Sequence, residues 1–218
     1  EDAEIYLRKA IEINEKEPRG HHDLALALLK LKKFNEGWEK YEWRWKIKSH
    51  KDSRLQTTKS EWHPNNKEGR VFIWEEQGLG DQILFSSLIP ELSNIVSNLL
   101  IRADKRLIPL FERSFSNQIE YIEATNYVDE NNYDYHLPIG SLPKFLRPSL
   151  ISFKSQPKFF LKADPAKVKE LKSKLSSNKF EKTIGISWTS VAKNLKSECP
   201  SLEELMKSIY RPNYRFIC

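Results

Sequence analysis

Val71-Phe72-Ile73-Trp74, then Glu75-Glu76-Gln77-Gly78-Leu79-Gly80-Asp81, then Gln82 through Leu92: the class of the fold is read from these 22 residues. The first four are apolar β-formers and read as a short buried strand. Gly78 and Gly80 suit a tight turn and the close approach of a ligand to the backbone. Asp81 stands where a helix begins, and a carboxylate there caps free N–H groups and meets the positive end of the helix dipole. Ile83, Leu84, Leu88, Ile89 and Leu92 recur at helical spacing. Strand, glycine turn and helix form the first unit of an α/β domain, and ligands of such domains bind at the mouth of such turns. The plain alternative is a strand-to-helix connection that needs two glycines. A dinucleotide fingerprint would place a third glycine or alanine at Ile83, and a P-loop would need Gly-Lys-Ser/Thr; the chain has neither.

Downstream, the alternation continues. Residues 99–103, 119–123 and 133–139 read as strands, with a helix around Leu107, Ile108, Leu110 and Phe111 in which Pro109 is awkward unless the helix is short or kinked. Strands alternating with helices predict a mostly parallel, doubly wound sheet. A polar helix follows at 166–175. Residues 183–188 open a new strand-and-loop unit, Ser201 caps a helix over 202–209, and 214–218 is the next strand.

Upstream, residues 1–48 read as helices, with a break at Pro18-Arg19-Gly20. Ala3, Leu7 and Ala10 recur 34 positions later as Gly37, Tyr41 and Arg44, the period of the tetratricopeptide repeat. Residues 49–69 are polar and read as a linker ending in a turn, with Trp62 packed against a neighbour.

The chain has 218 residues, enough for one or two domains, and a net charge of +6. Residues 151–218 carry 14 Lys/Arg against 6 Asp/Glu, while residues 1–150 carry 22 against 24. The basic end suits a phosphate-bearing ligand or is a solvated helix face. No basic stripe is interleaved with aromatics, which argues against nucleic acid as a partner. No apolar run approaches the roughly 20 residues that span a bilayer, so no transmembrane segment is expected. Cys199 and Cys218 have neither metal nor disulfide spacing, which suits a reducing, cytoplasmic compartment. His21, His22, His50 and His63 show no metal spacing, and neither a metal site nor a cofactor is expected. Both ends of the sequence read as cut from a longer protein.

Four segments together resemble bacterial tetratricopeptide-repeat glycosyltransferases of the GT-B type, related to heptosyltransferases and more remotely to O-linked N-acetylglucosamine transferases. They are Gly37 to Trp45, Glu76 to Asp81, His136 to Pro143 and Ile184 to Trp188. The resemblance implies the end of a tetratricopeptide solenoid (1–48), a linker (49–69), a GT-B N-terminal Rossmann-like domain (70–163), and a hinge helix with the start of a donor-binding Rossmann-like domain (164–218). It implies transfer of a sugar from a nucleotide-diphosphate sugar to a hydroxyl of a protein or glycan acceptor, with the repeats holding the acceptor or a protein partner. By resemblance Asp81 is the general base and Glu76 the second candidate. Gln77, Gly78, Gly80 and His136 bind the acceptor, and Ser187, Trp188 and Lys196 approach the donor diphosphate. Two other readings remain open: a non-catalytic interaction module with a degenerate transferase-like domain, and a different α/β enzyme that uses the same turn for a nucleotide.

Overall fold

A computed structural model of the chain describes residues 1–175, 180–188 and 199–217. The chain divides into two units, Glu1–Ala163 and Asp164–Cys218.

The first unit opens with three helices, α1 (Asp2–Ile13), α2 (Pro18–Lys30) and α3 (Phe34–Tyr41). The break between the first two helices lies just ahead of Pro18. Pro18 stands in the first turn of α2, where its missing N–H costs nothing, and Glu17 caps that end through Arg19 N. A 3-10 turn (Glu42–Lys46) and a single helical turn α4 (Lys48–Lys51) follow.

The sheet has five strands: β1 (Ser60–Glu61), β2 (Arg70–Trp74), β3 (Asn98–Ala103), β4 (Glu120–Glu123) and β5 (Tyr135–Pro138). Their order is β1-β5-β2-β3-β4 and every pairing is parallel. The chain runs outward from β2 through β3 to β4, then returns to the other flank of β2 as β5. The direction of winding therefore reverses between β2 and β5. β1 lies inside the stretch read as a linker and pairs with β5.

A parallel sheet must be covered on both faces. One face carries Val71, Ile73, Leu99, Ile101 and Leu137. It is covered by α5 (Leu79–Ser86), α6 (Ile89–Ile95) and α8 (Leu142–Leu146), with Trp62 wholly buried among them. Phe111 of α7 (Ile108–Ser114) packs with Ala103 and Leu107 nearby. Pro109 is accommodated because it stands in the first turn of α7. The other face carries Phe72, Trp74 and Leu100, and its cover is Trp45, Leu55, Val128 and Tyr133. Trp45 comes from the 3-10 turn, and its ring lies 5.3 Å from that of Trp74.

This arrangement overturns the reading as a tetratricopeptide solenoid followed by two GT-B domains. The chain is a small α/β protein with a five-stranded parallel sheet, Rossmann-like in character. The N-terminal helices belong to the same compact unit as the sheet, because the segment after α3 covers the sheet face that a second helical layer would otherwise occupy. The second unit holds α9 (Pro165–Leu175), α10 (Leu202–Ile209) and a two-stranded parallel sheet of β6 (Lys182–Gly185) and β7 (Tyr214–Ile217) among its described residues. No helix among the described residues is long and apolar enough to cross a membrane.

Candidate functional site

The carboxyl ends of β2 and β5, where the winding reverses, mark the expected ligand crevice of an open parallel sheet. The chain fills the floor of that crevice with its own side chains. Glu76 follows β2 and is almost fully buried. Its carboxylate accepts a two-pronged pair of hydrogen bonds from Arg44, Nε to Oε2 and Nη2 to Oε1, both at 2.8 Å. Gly140 N, just past β5, donates to Oε1 at 2.9 Å.

Arg44 is completely enclosed. Its Nη1 donates to Tyr41 O at 3.1 Å and to Glu42 Oε1 at 2.7 Å, and its Nη2 also reaches Ser141 Oγ at 2.7 Å. The guanidinium lies over the Tyr41 ring at 4.4 Å and the Trp45 ring at 4.7 Å. Burial by itself lowers the Arg44 pKa, but the Glu76 hydrogen bonds, with the charges of Glu76 and Glu42, outweigh it and hold the group above its ordinary value. The guanidinium therefore keeps its charge despite its burial. Gly140 has no room for a side chain: an added Cβ would stand 2.4 Å from Glu76 Oε1.

Above this floor lies the glycine turn. Gln77 has φ 59°, in the left-handed region that costs a non-glycine residue on the order of 1 kcal/mol or more. Its amide donates to the Tyr41 hydroxyl at 2.7 Å, so the N-terminal segment holds the strained residue in place. Burial raises the Tyr41 pKa, and the Gln77 hydrogen bond partly opposes it.

Gly78 has φ −90° and Gly80 is also outside the left-handed region. A Cβ on Gly78 would meet only Asp81 Oδ2, at an ordinary 3.5 Å, and one on Gly80 would meet nothing within 4 Å. The turn therefore does not need its glycines for its own folding. It leaves exposed backbone bare. Asp81 is partly exposed, and its Oδ2 accepts Gly78 N–H at 3.0 Å. Its Oδ1 has no protein partner among the described residues.

Gln77, Gly78, Gly80 and Asp81 thus form one surface, with Glu76 buried beneath it. His136 is not part of that surface. It sits in β5 opposite Phe72, is buried, and its Nδ1 accepts Trp74 Nε1–H at 3.2 Å. Burial pushes its pKa below the ordinary value, so the ring is neutral and holds the sheet face together. Ser187 and Trp188 follow β6 in the second unit, exposed and half-buried respectively. Lys196 lies outside the described residues.

Tyr41 and Arg44 enter the sequence reading only as repeat positions, and Glu42 only within the Gly37 to Trp45 segment; none is read there as part of the site. The available signal is the spacing Tyr41, Trp43, Trp45: aromatics two apart do not share a face of an α-helix, and the stretch is a 3-10 turn with Arg44 directed inward. Ser141 stands at the N-cap of α8 without a capping side-chain hydrogen bond; its hydroxyl serves Arg44 and Glu42 instead. Among the described residues no group of three or more His, Cys, Asp or Glu is placed to hold a metal ion.

No family model matches the chain, and no solved structure matches it. Protein FlbA of Caulobacter vibrioides is 31% identical to it over 186 residues, which cover 78% of this chain. The match spans 31% of the length of that relative.

Proposed function

We propose that this chain is part of a glycosyltransferase that moves a sugar from a nucleotide-diphosphate sugar to a hydroxyl acceptor, and that the turn at residues 77–81 is the surface on which the reacting groups meet. The observation that carries this reading is the pair of glycines at the winding reversal that the fold does not require. Bare backbone at that position suits close approach of a polar ligand to N–H groups. Asp81 is the group placed to act as base. It would take the acceptor hydroxyl proton as that oxygen bonds to the anomeric carbon and the nucleotide diphosphate leaves with the bonding pair. Glu76 is not available for this, since its oxygens face Arg44 and Gly140. Its role is to position the turn. The enclosure of Glu76 also favours a second reading, a binding module without turnover.

The test is transfer from a panel of nucleotide sugars by the full-length protein, with donor affinity measured by calorimetry. Gly80→Ala adds a methyl into open space within the first turn of α5, so it should leave stability unchanged or slightly raised. It should nevertheless weaken ligand binding, and Asp81→Asn should abolish turnover with binding kept. Binding without turnover, indifferent to Asp81→Asn, would favour the non-catalytic module. Full activity in both variants would reject the site.

A further inference from the structure

A second cavity, on the sheet face covered by residues 45–59, is unused by the transferase reading. It is an open pocket of about 420 Å³ lined by Trp45, Lys51, Arg54, Lys59, Glu61 and His136, with the polar Gln56 and Thr57 between them. That volume falls in the range of small-molecule sites, about 300 to 1,000 Å³.

Its charge is unbalanced. Three cations face one carboxylate, and the carboxylate is already engaged, with Arg54 Nη2 donating to Glu61 Oε1 at 2.6 Å. Neither Lys51 nor Lys59 has a carboxylate partner among the described residues. His136, also in the wall, adds no charge: burial favours its neutral form, and its Nδ1 is taken by Trp74. Glu130 lies nearby, its carboxylate kept ionised by Thr57 and Thr58, and it offsets part of the Lys59 charge without pairing directly with that lysine. Like charges gathered around a concavity raise each other's energy and draw in a counter-anion. Trp45 supplies the apolar part of the wall, with the Arg54 guanidinium 5.8 Å from its ring centre.

We infer that this cavity is a binding site for a small organic phosphate, held by Lys51, Lys59 and Arg54. Three cationic side chains around one pocket suit the several oxygens of a phosphate better than a single carboxylate. Lysines act as point charges toward phosphate, and Arg54 offers the planar fork that suits its oxygens. The volume leaves room for a sugar-sized body beside the phosphate. The inference does not depend on transfer chemistry at the glycine turn, because the two sites share no lining residue.

The experiment is isothermal titration calorimetry of the full chain with a hexose 6-phosphate, the unphosphorylated hexose, inorganic phosphate and succinate as separate probes. The hexose phosphate should bind saturably at one site, and the plain hexose should not bind. Lys51→Glu/Lys59→Glu should weaken binding at least tenfold, and Lys51→Ala/Lys59→Ala should do so in part. Both lysines stand at the surface, so the melting temperature should stay native. Raising the salt from 50 to 500 mM should weaken binding as screening predicts. Gly80→Ala should leave it unchanged, which separates this site from the turn. No saturable binding at 5 mM, equal binding by the native-like double variants, or succinate binding as tightly as the phosphate would each overturn the proposal.

Discussion

At the scale of single residues, Arg44 decides how the crevice is built. A guanidinium with no exposed surface costs several kcal/mol to desolvate, and here that is offset by two carboxylates, a carbonyl and a hydroxyl. Removing one partner is therefore worse than removing both. Arg44→Met should destabilise the first unit by about 3–5 kcal/mol, the cost of leaving a buried Glu76 uncompensated. Arg44→Met/Glu76→Gln should recover much of that loss, because the amide keeps an acceptor for Gly140 N. Denaturant unfolding of both variants checks this, and additive losses would show that the pair is not coupled. His136 gives a second residue-scale expectation. Its folded pKa is depressed chiefly by burial, so the native state prefers the neutral ring. The stability that depends on it is complete above the ordinary histidine value of about 6.5 and falls as the pH drops toward the lowered folded value. His22 is depressed for the same reason and adds to the slope. The melting temperature should fall between pH 7 and pH 5, and His136→Gln, which retains an acceptor for Trp74, should flatten that fall.

At the scale of elements, the packing of α2 on α3 turns on one contact. Gly37 faces Leu29, and a Cβ there would stand 2.8 Å from Leu29 Cδ2 and 3.2 Å from the Leu29 backbone nitrogen. A side chain can turn away but backbone cannot, so the helices must part. Gly37→Ala should cost about 1–3 kcal/mol despite the helix propensity it gains, read from denaturant midpoints. Elements of this kind were legible in the sequence where one periodicity dominates. The strands at Arg70–Trp74, Asn98–Ala103 and Glu120–Glu123 follow from apolar β-formers. Pro109 fits because its helix is short, and both it and Pro18 stand in first turns, where proline is at home. β1 was illegible because it is two residues long, with neither residue buried, and exists only as an edge on β5. The glycine turn was legible as a strand-to-helix turn because its residues are consecutive. The Arg44 floor beneath it was not, since it joins residues 32 and 97 positions apart and no local pattern marks such a pairing.

At the scale of the whole molecule, the central question is whether the sheet is a body of its own. A solenoid followed by a transferase domain would allow residues 70–163 to fold without what precedes them. The structure removes that independence in two ways. The face bearing Phe72, Trp74 and Leu100 is covered in part by Trp45 and Leu55, and a parallel sheet with one face open to water exposes apolar surface worth about 25 cal/mol per Å². Glu76, at the end of the central strand, would also lose Arg44 and stand as a buried charge without its cation. Together these losses approach or exceed the roughly 5–15 kcal/mol that holds a domain folded. Residues 70–163 expressed alone should therefore lack a cooperative thermal transition and expose apolar surface to a dye. Residues 1–163, which keep Arg44, Trp45 and Leu55, should melt cooperatively. Native-like melting of the shorter piece would mean that the N-terminal segment is an appendage, and that the crevice floor is completed by side chains the sheet can do without.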